Sequence, residues 1–255
     1  MKYIECEVPE KVAYIIVIAD LHYGDKSFST EGKNKLLGYL KWVKETPNAR
    51  IFLNGDIYNV AGRNTKTSPF ESNGSEYMEV IDLFKPYANQ IIGATDGNHE
   101  ARMIDMFDMS PTQHMCRELN IPYCKWSAMV RLKVGKRKDS KNRWRENYFL
   151  YLHHTRGGGS TVGSKLNRVA KLRDIVEGVD VLCGSHNHQL AAAPQDVYYP
   201  SIQGGIKKRR IWMVDCGSFL DWNDSYAEQG MFAPSKLGSP RIRFSGTSHD
   251  IHVSL

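Results

Sequence analysis

Residues 50–59 read RIFLNGDIYN. Ile51, Phe52 and Leu53 form a short continuous apolar run, the pattern of a strand covered on both faces, and Asn54, Gly55 and Asp56 break it with turn chemistry. A carboxylate is thereby delivered at the C-terminal end of a strand, the edge at which open α/β sheets bind their ligands. One such turn specifies nothing by itself. Its weight comes from four other strand ends that do the same.

Working outward, residues 13–19, AYIIVIA, are a second buried-strand run, and it ends in Asp20, Leu21 and His22. Between the two lies a periodic segment, 33–44, with Leu36, Leu37, Leu40 and Val43 at helical spacing and Pro47 closing it. Strand, helix, strand predicts a right-handed crossover and a parallel pair, with Asp20 and Asp56 on one sheet edge. The polar stretch 61–73 is expected to rim the site. A helix is predicted over 77–84 and a third strand over 90–93, running into Thr95, Asp96, Gly97, Asn98, His99 and Glu100. Helices are predicted over 101–107 and 111–120.

From Ala128 the pattern turns to β. Residues 129–134 alternate, 135–146 form a polar tip, and 148–152 run into His153 and His154, which predicts a hairpin leading into a second sheet. Residues 164–176 are amphipathic. The strand 179–183 ends in Gly184, Ser185, His186, Asn187 and His188, and the segments 211–216, 242–244 and 251–255 read as further strands. With no repeat and no linker, residues 1–255 are expected to form a single domain of two packed sheets.

The formal charge of +6 favours an anionic partner, nucleic acid or a phosphorylated substrate. Five scattered cysteines without a Cys-x-x-Cys pair suggest neither a disulfide framework nor a structural zinc cluster. The N-terminal residues MKYIECEVPEKV place acids and a proline where a leader needs its apolar region, and no apolar run reaches the ~18 residues of a membrane helix. A cytoplasmic location without a membrane partner is expected. The oligomeric state is not specified.

Collected in order, the strand ends offer Asp20, His22, Asp56, Asn98, His99, His153, His186 and His188. Nitrogen and oxygen donors without thiolate suit zinc, manganese or iron rather than calcium or magnesium. Eight donors are too many for one tetrahedral ion and suit two ions sharing a carboxylate bridge. Ions about 3.5–4 Å apart polarise a phosphate and lower the pKa of a bridging water. His186 and His188 would face opposite ways on a strand, so a turn after Gly184 has to bring both inward.

Asp20-x-His22, Gly55-Asp56, Gly97-Asn98-His99-Glu100, a strand-end His153, Gly184-x-His186-x-His188 and the turn Cys216-Gly217-Ser218 resemble, in order, the motifs of the calcineurin-like metallophosphoesterases. The resemblance spans roughly residues 13–220, and the compact, uninserted form is similar to versions found in phage and prophage genomes. It implies a four-layer α/β/β/α sandwich. It implies two divalent ions, manganese first, with iron, zinc or nickel as alternatives. Asp20, His22, Asp56 and His188 would hold one ion, and Asp56, Asn98, His153 and His186 the other. A bridging hydroxide would attack phosphorus in line, while His99, oriented by an acidic neighbour, would protonate the leaving group. Two departures stand out. Asp96 occupies a position where the family often has an apolar residue or proline, which suggests a supporting carboxylate. His153 is followed by His154 where glycine is usual; the ligand is assigned to His153 because it directly follows Tyr151 and Leu152, and His154 stays open.

For the substrate, Arg131, Lys133, Lys136, Arg137, Lys138, Lys141, Arg143 and Arg145 stand almost without acids, interleaved with Trp126 and Trp144, and Lys207, Lys208, Arg209 and Arg210 form a second cluster. Such residues can follow a phosphate backbone and stack on bases, which favours a nuclease cleaving phosphodiester bonds of DNA or RNA. A phosphomonoesterase acting on phosphoprotein or small phosphate esters is the alternative, and a non-catalytic scaffold is disfavoured by the complete ligand set. The direction in which the hairpin projects decides. Arg102 and Arg156, close to the motifs, are expected to contact a phosphate. Residues 157–165, GGGSTVGSK, fail as a nucleotide loop because Ser164 separates the last glycine from Lys165, and are read as a loop beside the metals.

Overall fold

A computed structural model describes residues 1–60, 74–136, 145–223 and 225–255. Its strands are β1 (Lys2–Val8), β2 (Val12–Ile18), β3 (Ala49–Asn54), β4 (Ile91–Thr95), β5 (Ser127–Val134), β6 (Glu146–His153), β7 (Val181–Gly184), β8 (Leu190–Pro200), β9 (Ile206–Cys216), β10 (Arg241–Ser245) and β11 (Ile251–Ser254). The main helices are α1 (Thr30–Glu45), α2 (Ser75–Phe84), α3 (Asn98–Phe107), α4 (Pro111–Glu118) and α5 (Val162–Ala170). One sheet has the order β11-β10-β2-β3-β4 and the other β1-β5-β6-β7-β9-β8. The polar stretch 61–73 and the hairpin tip 137–144 lie outside the described residues.

Alternation along the strands makes the layers. In β2, Ala13, Ile15 and Val17 enter the core between the sheets, joined by Phe52, Val130, Leu132, Leu150 and Leu152. Ile16 and Ile18 point the other way, onto Leu36, Leu40 and Val43 of α1. A third core joins Tyr151, Leu182 and Met213 of the second sheet to Val169 of α5 and to Leu172. Three apolar interfaces separate four layers, giving the expected α/β/β/α sandwich. Helix α1 starts where Ser29 Oγ accepts the Glu31 and Gly32 amides.

The predicted crossover is present, β2 and β3 pairing in parallel with Ile16 opposite Ile51. Asp20 and Asp56 follow neighbouring strands on one edge. β1 was hidden in a segment read only for leader chemistry, although Ile4, Cys6 and Val8 alternate with exposed neighbours. The stretch after Gly159 is not all loop. Thr161 caps α5, accepting the Ser164 amide at 3.2 Å, so Lys165 lies inside a helix.

Candidate metal centre

The site is built from turns that leave both sheets at the same end. Asp20 and His22 follow β2, Asp56 follows β3, and Asn98 and His99 open α3 after β4. From the other sheet, His154 follows β6, and His186 and His188 follow β7. The first two turns run side by side, the Asp20, His22 and Tyr23 amides donating to the carbonyls of Gly55, Asp56 and Ile57 at 3.1, 3.0 and 2.9 Å. Glu100, fully buried, ties the third turn to them. Its Oε2 accepts the Asp56 and Gly97 amides at 3.0 and 2.8 Å, and its Oε1 those of Ile57 and Tyr58 at 2.8 and 3.0 Å. Burial and the Asp56 charge push this carboxyl up to about 7, against the pull of its backbone donors.

Donor atoms converge in three overlapping groups: Asp20, His22 and His188; His22, Asp56 and His99; and Asp56, His154 and His186. His22 Nε2 stands 3.3 Å from His188 Nε2, and Asp20 Oδ1 lies 3.3 Å from His188 Nε2 and 3.8 Å from His22 Nε2. Around a tetrahedral ion bound at ~2.0–2.1 Å, two donors stand roughly 3.3–3.4 Å apart, so this spacing fits a metal. Asp56 Oδ1 accepts the His99 amide at 2.8 Å, while Oδ2 faces His154 Nε2 at 3.2 Å and His22 Nε2 at 3.7 Å. Asp20 Oδ1 and Asp56 Oδ2 are buried and, among the described residues, accept no aligned hydrogen bond. Two orphaned carboxylate oxygens among imidazole nitrogens are a strong sign of cation sites. Despite burial, His188 and His22 hold Asp20 below its ordinary range, and His154 does the same for Asp56. In return, Asp56 raises His154 to about 10 although burial opposes it.

Backbone strain is concentrated here. Asp20, His22, Asp56, His186 and His188 all have positive φ, between 43° and 81°. Each such non-glycine residue costs about 1 kcal/mol or more, and such costs cluster at functional sites.

The structure corrects the strand-end histidine. His154, not His153, enters the cluster. Tyr148, Leu150 and Leu152 face the gap between the sheets and Tyr151 faces the outer layer, so the even-numbered side of β6 is the one that meets Asp56. His154 Nδ1 lies 2.9 Å from the Asn54 carbonyl, which fixes the proton there and leaves Nε2 toward Asp56 and toward Asn98 Oδ1 at 3.1 Å. His153 keeps company with Tyr151, and its Nδ1 has no partner.

Two other expectations change. Asp96 turns away from the cluster and accepts the hydroxyls of Ser110, at 2.6 Å, and Tyr123. The acidic neighbour of His99 serves the backbone, and a guanidinium meets the ring instead: Arg102 Nη2 is 3.1 Å from Nε2 and Nη1 3.3 Å from Nδ1. Burial, then the charges of His22 and Arg102, hold His99 well below the ordinary histidine value.

A cavity of about 340 Å³ opens over the cluster and contains His22, Asp56, Asn98, His99, His186 and His188 in its wall. Arg102 lines it too. Arg156 does not; it is exposed, its carbonyl accepting Arg168 Nη1 at 3.0 Å. The described parts of both basic stretches run away from the cluster. Ser127 pairs with His153 at the metal end and Val134 with Glu146 at the other, so Val134 lies roughly 24 Å from Ser127 along the strand. In β8–β9, Leu190 pairs with Cys216 at the metal end and Pro200 with Ile206 at the far end, so Lys207 and Lys208 lie roughly 30 Å away. The cations are also partly neutralised, Arg131 by Glu5 at 3.2 Å, Arg145 by Glu7 at 2.6 Å and Arg210 by Asp196 at 2.8 Å.

Among the described residues no helix is long and apolar enough to cross a membrane. No curated protein matches the chain. The family model described as calcineurin-like phosphoesterase matches residues 13–190. Because that match takes in every strand end that feeds the cluster, from Asp20 to His188, the chain belongs to the calcineurin-like phosphoesterase family.

Proposed function

We propose that the chain hydrolyses compact phosphate esters at the Asp56 cluster. The observation that carries this is the cavity of about 340 Å³ over the donors, with Arg102 in its wall and Lys207 and Lys208 at the far end of β9. Volumes of that order suit small ligands. Asp20, His22 and His188 would hold one divalent ion, and Asn98, His154 and His186 the other, with Asp56 between them. Manganese is our first choice, ahead of iron, zinc and nickel, for donors that mix nitrogen and oxygen without sulfur. When bound, such a pair supplies Lewis acidity at phosphorus and a nucleophile drawn from water. Arg102 orients a phosphoryl oxygen, and His99 faces the leaving group. Cleavage of DNA or RNA at the same centre is a second reading, favoured by the net charge of +6.

Manganese is expected to raise the Tm of the wild-type chain and to switch on hydrolysis of an aryl phosphate. Asp56→Asn should lose both, with turnover down by at least about 1,000-fold. Full activity with unchanged bound metal in Asp56→Asn would overturn the two-ion reading. Running aryl monoesters, aryl diesters and end-labelled DNA and RNA side by side separates the two substrate readings. His99→Ala is expected to keep its metals; because burial and the His22 and Arg102 charges hold the ring neutral, only a loss confined to poor leaving groups would give it the acid role, and equal loss with good and poor ones would remove that role.

A further inference from the structure

Lys165 presents a problem that the cluster does not solve. It sits in the first turns of α5, 7% exposed, and among the described residues its ammonium makes no hydrogen bond and no ion pair. The stem is buried, but the ammonium at its end still reaches open space, as long cationic side chains do. One acid lies nearby. Asp215, bound through Oδ2 to Asn187 Nδ2 at 3.0 Å, attracts the ammonium without coming within ion-pair distance of it.

What Lys165 does meet is the cavity. It lines the same space as the metal cluster, and Gly157, Gly158 and Gly159 line that wall beside it. A side chain added at Gly158 would meet nothing within 4 Å, so the backbone there faces open space. The chain enters α5 directly afterwards. The same lining includes the apolar groups Leu220, Trp222 and Phe232, along with the acids Asp25 and Asp221. Phosphate at the donors, an organic body against the apolar groups and a second anion at the ammonium describe one ligand.

We propose that Lys165 and the Gly157 to Gly159 wall form a second anion subsite, so that the preferred substrate is a phosphate ester carrying another anionic group, a phosphate or a carboxylate. This rests on the phosphoesterase reading for the scissile group only. The subsite explains why a buried stem delivers an ammonium to this cavity, and it gives the cavity a specificity determinant distinct from the metals.

The test is calorimetric titration of the manganese-loaded full chain with alkyl monophosphonates and with α,ω-bisphosphonates of two, three and four carbons. The best bisphosphonate is expected to bind about tenfold or more tighter than its monophosphonate, the scale of one charge-assisted contact. Lys165→Met should abolish that advantage and leave monophosphonate affinity within about twofold. A phosphonocarboxylate series then shows which anion the site takes. Because Met fills the same volume without a charge, the Tm of Lys165→Met should equal or exceed that of the wild type. Equal weakening of both ligand classes, no bisphosphonate advantage in the wild type, or an advantage that survives in Lys165→Met would each overturn the subsite. Hydrolysis of aryl phosphate, measured separately, reports on the phosphoesterase reading. An inactive chain with a Lys165-dependent bisphosphonate preference sinks that reading and keeps the subsite, and an active chain without the preference does the reverse.

Discussion

Gly97→Ala is expected to abolish manganese binding although residue 97 is no ligand. A Cβ built on Gly97 falls less than 3.0 Å from Asp56 Oδ1, Cγ and backbone N. Its own backbone, at φ −105° and ψ −168°, would accept alanine readily, so the whole effect comes from the collision. Asp56 cannot retreat. Its amide is held by Glu100, its carbonyl by the His22 amide and its Oδ1 by the His99 amide. The added methyl therefore has to push the shared carboxylate out of place, and with it both donor groups. Metal affinity should fall by about 100-fold or more, at a stability cost of about 2–4 kcal/mol. Metal titration and urea denaturation of the metal-free chain check the two numbers. Wild-type manganese affinity in Gly97→Ala would mean that the Asp56 turn yields, and would undo the argument from close approach.

The largest loss of stability is expected from Glu100→Ala. That substitution leaves four buried amides, of Asp56, Ile57, Tyr58 and Gly97, without their acceptor. At about 1–3 kcal/mol for each unsatisfied buried group, and with partial relaxation of the turns, a cost of about 4–5 kcal/mol follows. Glu100→Gln keeps the shape but turns one acceptor oxygen into a donor facing two amides, so it should fall between wild type and alanine. Urea unfolding gives the order directly. A loss below about 1 kcal/mol for alanine would show that the turns hold themselves without the carboxylate. The metal-loaded form offers a second reading, because Glu100 holds both the Asp56 turn and the Gly97 amide that leads into Asn98.

The fold was largely legible because buried strands announce themselves as apolar runs and each run here ends abruptly. Leu53 to Asp56 is the plainest case, and the same break after Ala19 and Cys183 points to Asp20, His22, His186 and His188. Strand alternation also held the answer to the histidine pair. Counting by twos from Leu150 and Leu152 leads to His154, whereas counting strand ends stops one residue short. Other features depend on contacts between segments far apart in sequence. That Glu100 would bind the Asp56 turn rather than His99, that Arg102 would take that place, and that the stem of Lys165 would be buried beside the cavity are facts of packing across both sheets. The direction of the basic hairpin is of the same kind. It follows from the register of β5 on β6, which sequence alone does not assign.

The left-handed backbone at Asp20, His22, Asp56, His186 and His188 has a consequence for anyone redesigning this chain. On this backbone, choosing residues for resistance to unfolding alone would favour glycine at all five positions, because glycine adopts positive φ without a steric penalty. Robustness and chemistry thus pull the same five codons in opposite directions. A library selected for heat tolerance without a metal or activity screen would shed its reaction centre first, and its hardiest survivors would be inert copies of the sandwich.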